Sequence, residues 1–224
     1  MSHKVDDGEF TVEQPPLDEN MERLPEKLFD LNEIDQCVVR DSNGAVKTFK
    51  ELRSGYTCII VFIRHFLDYV AKEYVEDFSK IFPRQLEENK VKLVVIGCGP
   101  SCFIQPFCEE TNFPHEMYCD SKRIIHKVLR LHDTPSAALG ATSPHVKSNF
   151  LQGFFQTIWR FVKSAVQQGD PLQQGGQIVI NPGGQVLFFH RDLHPLDHTP
   201  INELLEAAKL SRIDFNTKYR IYDV

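Results

Sequence analysis

Between Thr57 and Ile63 nearly every position is apolar, and after Arg64-His65 the apolar residues recur at three and four residues: Leu67, Val70, Tyr74, Val75, Phe78 and Ile81. A continuous apolar run is the pattern of a strand buried on both faces of a sheet, and the later spacing is one stripe of a helix lying on that sheet. The pattern predicts strand, short turn, helix. Asp68 stands at the predicted helix start, where its carboxylate can accept from free backbone N–H groups and faces the positive end of the dipole. In open α/β sheets the crevice beyond the carboxyl ends of the strands is where sites form, so this junction is the first place to look for chemistry.

The same alternation continues downstream. Val91 to Gly97 is a second buried strand; Ser101 can cap a helix running to about Thr111. His115 to Cys119 reads as a strand, followed by a helix capped by Asp120 or Ser121 with Ile124, Ile125, Val128 and Leu129 inward. Strands and helices in this order imply right-handed crossovers and a mostly parallel sheet. Upstream, Cys37-Val38-Val39 and Ala45-Val46 flank Ser42-Asn43-Gly44, a tight hairpin signal, and Thr48 to Arg53 reads as one helical turn. A second hairpin joins Gln177–Ile180 to Gln185–Phe189 through Asn181-Pro-Gly-Gly184. A last helix is expected from Pro200 to Leu210, capped by Thr199, with Ile201, Leu204, Leu205 and Ala208 inward.

The stretch from Leu131 to Gly175 breaks the rhythm. Within it, Val146 to Val166 carries a broad aromatic face that includes Phe154, Phe155 and Trp159, with Lys147, Arg160 and Lys163 interleaved. Such a face most simply covers its own sheet; exposed, it can serve as a homodimer surface, a partner groove contact or a membrane-surface helix.

A chain of 224 residues with 42% hydrophobic content fills one core rather than two. The net charge of −6 gives no basic field for nucleic acid. No apolar run approaches the roughly 18 residues of a membrane span, and no N-terminal apolar segment marks secretion, so a soluble cytoplasmic protein is expected. Six cysteines without a Cys-x-x-Cys pair are then expected as free thiols, with Cys58 and Cys119 packed as small apolar side chains. The spacing calls for no cofactor or metal.

Several separated blocks carry a family resemblance: Ile63-Arg-His-Phe-Leu-x-Tyr-x-x-Lys-Glu-Tyr-Val-Glu-Asp77, Ser143-Pro-His-Val-Lys-Ser-Asn149, Gln173-Gln-Gly-Gly176, and His190-Arg-Asp192 with Leu196-Asp-His198 and Pro200-Ile-Asn202. They resemble the peroxiredoxin-like 2 family, in the branch with an AhpC/TSA antioxidant enzyme domain. The resemblance implies a thioredoxin-like α/β fold, a central mixed sheet flanked by helices with a helical insertion before the closing hairpin. It spans about residues 28–210, with the insertion at about 132–175, a flexible acidic tail at 1–27 and a C-terminal tail at 211–224. It also implies a Cys-x-x-Cys pair at the start of the first long helix, where this chain has Asp68 and Ala71, and a cis-proline before the closing hairpin, where it has Gly175-Gly176.

That departure shapes the functional expectation. A helix N-terminus lowers a thiol's pKa so that the nucleophilic thiolate forms. Asp68 keeps the negative charge but cannot attack a peroxide, and Ala71 removes the resolving thiol. Arg64, His65, Asp68 and Ala71 are therefore expected as a vestigial redox site, a charge cluster that satisfies itself, in a binding or regulatory module. The alternative is a thiol-dependent antioxidant oxidoreductase using Cys98 with or without Cys102, since Cys98-Gly-Pro-Ser-Cys102 lies on the loop expected at the same sheet edge. His190, His194 and His198 with Asp192 and Asp197 lack metal-ligand spacing and are expected as unliganded surface.

Overall fold

The computed structural model describes residues 29–135, 142–146 and 172–215. Seven strands form one sheet: β1 (Val38–Arg40), β2 (Val46–Thr48), β3 (Thr57–Ile63), β4 (Val91–Gly97), β5 (Glu116–Cys119), β6 (Gly176–Ile180) and β7 (Val186–Arg191), in the order β2-β1-β5-β4-β3-β6-β7. β3, β4 and β5 run parallel, while β6 lies antiparallel to β3 and the two hairpins close the edges. The expected mixed sheet is thus present. The helical insertion expected at about 132–175 falls largely outside the described residues.

The apolar run in β3 follows from its central position. Successive side chains alternate between faces, so Ile59, Val61 and Ile63 join one buried cluster and Cys58, Ile60 and Phe62 the other. The first cluster is roofed by α3 (Tyr69–Phe78), α5 (Ile104–Thr111) and α7 (Ile201–Ala207), which contribute Tyr74, Phe78, Phe107, Leu204 and Leu205. The second is covered by α1 (Leu31–Asp35), α2 (Phe49–Arg53) and α6 (Ile124–Val128), through Ile34, Phe49, Leu52 and Ile125. Each fully buried aliphatic or phenyl side chain stabilises the fold by about 1.5–3 kcal/mol.

Several local expectations need correction. Leu67 is 52% exposed because the helix begins only after Asp68, leaving Leu67 in the turn. The first long helix stops at Phe78, and Pro83 opens a separate helix, α4 (Pro83–Glu88); Ile81 is buried in the link between them. Ser101 caps nothing: it starts a 3-10 turn, Ser101–Phe103, that leads into α5. Ile124 is 42% exposed, since the cap residue Arg123 takes a left-handed φ of 56° and turns α6 so that Ile125 and His126 face inward. The first hairpin, by contrast, is as expected, with Gly44 taking the positive φ of its turn. Thr199 does not cap α7, because its hydroxyl donates to Gln177 Oε1 at 2.7 Å.

Two glycines set the space around the carboxyl ends of the strands. A Cβ on Gly97, the last residue of β4, would come within 2.7 Å of the Phe66 ring. A Cβ on Gly175 would meet the Phe62 carbonyl oxygen at 2.3 Å and the Asp192 carboxylate at 2.7 Å. Gly175 thus lets the segment before β6 press onto the end of β3. No peptide bond among the described residues is cis.

Candidate functional site

The end of β3 turns sharply into α3, and the turn closes with Asp68 N–H donating to His65 C=O at 3.2 Å. Asp68 is the N-cap of α3, its φ and ψ of −80° and 113° extended and its carboxylate accepting from Val70 N–H at 3.2 Å. Arg64 Nε donates to the other carboxylate oxygen at 2.8 Å. Arg64, His65 and Asp68 are all nearly withdrawn from solvent. Burial by itself raises a carboxyl pKa, but the guanidinium of Arg64, through charge and hydrogen bond, and the nearby His65 and His198 outweigh it and hold Asp68 at about 2. The tip of α3 therefore carries a permanent carboxylate with its counter-charge built in.

The His65 ring stands beside that pair, while its backbone carbonyl accepts from Asp68 N–H. Its buried Nδ1 has no hydrogen-bond partner among the described residues. Burial pushes its pKa down, opposed by Asp68 and reinforced by Arg64, so the imidazole stays neutral at pH 7. Ala71, fully buried, faces the core one turn along the helix.

Of the two fallback thiols, Cys98 comes to the junction. It follows β4, is 1% exposed, and its Sγ donates to the carbonyl oxygen of Arg64, which also accepts from its N–H at 3.3 Å. Cys102 lies exposed on the 3-10 turn, and all six cysteines are free. Cys58 and Cys119 are buried as expected, and desolvation raises both thiol pKa values, that of Cys58 to about 12. Phe154, Phe155 and Trp159 lie outside the described residues.

The histidine-rich stretch after β7 differs most from its expected surface role. Asp192 is fully buried and His198 is 3% exposed. Asp192 Oδ2 takes His198 Nδ1 at 2.7 Å and its Oδ1 takes Gln177 Nε2 at 3.1 Å, while Gln177 Oε1 accepts from Thr199. The His198 ring stacks on Tyr74 of α3, centroids 4.6 Å apart. Tyr74 in turn donates to Thr199 C=O at 2.5 Å, and burial with the charges of Asp192 and Glu203 keeps its phenol pKa well above the ordinary value. This network reaches the α3 junction, since His198 contributes to the field on Asp68. His190 and His194 remain half-buried, and no group of three or more metal-ligating side chains is assembled among the described residues.

The junction thus brings together an ion pair, two buried imidazoles and the buried thiol of Cys98. A model of the AhpC/TSA antioxidant enzyme family matches residues 77–194, and peroxiredoxin-like 2C of Bos taurus is 42% identical over 83% of this chain and 82% of its own length. The chain belongs to the peroxiredoxin-like 2 group of the AhpC/TSA family. The human peroxiredoxin-like 2C is 40% identical over the same share of the chain. Among solved structures, peroxidoxin BcpB from Mycobacterium tuberculosis superposes with a TM-score of 0.54 at 13% identity, covering 77% of this chain and 91% of that one, a likeness of fold alone. The fold is thioredoxin-like. The family match begins at Asp77, downstream of both Asp68 and Ala71.

No helix among the described residues is long and apolar enough to cross a membrane. The pairing of His198 with Asp192 had a faint sequence signal, because both residues fall within blocks that carry the family resemblance. Spacing alone could not join them.

Proposed function

We propose that this chain is a peroxiredoxin-like protein whose redox centre has been replaced, acting in the cytosol as a binding or regulatory module rather than as a peroxidase. One observation carries the reading: the N-terminal seat of α3 is filled by the Asp68 carboxylate, ion-paired to Arg64 at 2.8 Å, where the family resemblance implies a cysteine. A carboxylate held at about 2 is ionised throughout the physiological range and offers neither a nucleophile that reduces a peroxide or disulfide nor a resolving thiol. Ala71 at the second position has no sulfur either. The partner surface proposed for such a module is the stripe of Phe154, Phe155 and Trp159, supported by its aromatic sequence pattern and tested by pull-down with Phe155 and Trp159 made polar.

A second reading keeps Cys98 as the working thiol of an antioxidant oxidoreductase. Its support is position, because Cys98 sits against the backbone of Arg64 at the same edge of the sheet. Its 1% exposure opposes it, since a peroxide can reach that sulfur only if the turn opens.

Peroxide consumption with a thioredoxin or glutathione regenerating system separates the two readings. The module reading expects no turnover above the protein-free rate. Turnover that disappears in Cys98→Ser would overturn it and establish the enzyme.

A further inference from the structure

His145 is 4% exposed and joins three parts of the chain that are far apart in sequence. Its Nδ1 is 2.8 Å from Asp77 Oδ2 on α3, and its Nε2 accepts the N–H of Ile201, the first residue of α7, at 3.0 Å. Its ring meets Phe215 edge-on at 4.9 Å. A further bond from Ser143 N–H to Leu196 C=O, 2.8 Å, fastens the same segment.

The N–H of Ile201 is one of those that a helix leaves without an internal partner, and the N-cap residue Pro200 supplies no side-chain bond. His145 therefore caps α7 from 56 residues away. Both contacts are satisfied by one form of the ring only, the neutral tautomer with its proton on Nδ1. A second proton on Nε2 turns the acceptor into a donor facing another N–H, and the cap bond is lost. The contact with Asp77 survives, because a carboxylate accepts from the imidazolium equally well.

We propose that His145 is a proton-operated latch: neutral, it ties residues 142–146 to both α3 and α7, and doubly protonated it lets go of α7 while keeping hold of α3. Asp77 faces Nδ1 of His145, and Lys80 stands 2.8 Å from the other Asp77 oxygen. Glu203 lies in the first turn of α7, and the His198–Asp192 pair stands beyond the Tyr74 ring, whose centroid is 5.7 Å from that of His145.

The test is amide exchange on the full chain by NMR, corrected for the intrinsic pH dependence, with the His145 ring titrated in the same samples. Exchange at Ile201 should quicken about fivefold as the ring takes its second proton, the size of a typical helix cap. In His145→Gln, which has no titrating ring, that step should vanish. Protection at Ile201 that is unchanged across the titration, or that falls equally in His145→Gln, overturns the latch. Should that variant fail to fold, ring nitrogen shifts of the unsubstituted protein decide it: a neutral ring protonated on Nδ1 is expected, and one protonated on Nε2 refutes the proposal.

Discussion

Nε of Arg64 stands 2.8 Å from the Asp68 carboxylate, and neither side chain is more than 10% exposed. Asp68→Asn keeps a capping oxygen but removes the charge opposite Arg64, and the loss at neutral pH should be about 3 kcal/mol, the size expected for breaking a buried pair. The folded-state pKa is about 2 against an ordinary 3.8. Because that pKa is depressed, the contribution is complete above about pH 5 and is lost as pH falls through 3.8 towards 2. Urea unfolding of both proteins between about pH 6 and pH 3 should show the gap narrowing with acid. A gap constant over that range would mean that Asp68 is held by something other than its charge.

The six thiols should differ sharply in reactivity, because only Cys102 is exposed. Brief treatment of the native protein with a maleimide, read by peptide mass mapping, should label Cys102 at least about a hundredfold faster than Cys98, Cys58 or Cys119, which need local opening. Labelling of Cys98 at a rate near that of Cys102 would show that the turn after β4 opens readily, and would favour the thiol-enzyme reading.

The β3–α3 junction was legible in the sequence because two periods meet there: the apolar run of Thr57–Ile63 needs burial on both faces, and Val70, Tyr74 and Phe78 share one helical stripe. Leu67 and Ile124 fit the same stripes by spacing yet point to solvent: Leu67 because α3 starts only after Asp68, and Ile124, the first residue of α6, because the left-handed Arg123 cap turns Ile125 and His126 inward instead. The buried pairs His198–Asp192 and His145–Asp77 were not legible from spacing. The first forms within the irregular stretch after β7 and the second between residues 142–146 and α3, and no local period records such contacts.

Gly175 should tolerate nothing larger. The added methyl of Gly175→Ala would press on both the Phe62 backbone, part of the β3–β6 pairing, and Asp192, which holds His198 and Gln177. Neither is the free end of a flexible side chain, so a loss of about 3 kcal/mol in urea unfolding is expected. Gly44→Ala is the useful contrast, since its Cβ would meet nothing within 4 Å and only the positive φ of 81° is strained. That change should cost about 1 kcal/mol. Equal losses at the two sites would show that the Gly175 segment can withdraw from β3.

The sharpest question about the α3 seat is whether it still favours a negative charge once the carboxylate is gone. Arg64 and the Val70 N–H act on whatever group occupies position 68, so a thiol placed there by Asp68→Cys should ionise below the ordinary value of about 8.5. In a Cys102→Ser background, the rate of alkylation by iodoacetamide should reach half its maximum at least about one pH unit below that value. Adding Arg64→Gln should move the midpoint back up, since the guanidinium supplies much of the field. A midpoint at or above 8.5 would show that burial outweighs Arg64 for a thiolate, and that the site has lost more than its sulfur. Peroxide turnover gained by Asp68→Cys and absent from the unsubstituted chain would show that replacement of that one atom type is what separates this chain from a peroxidase.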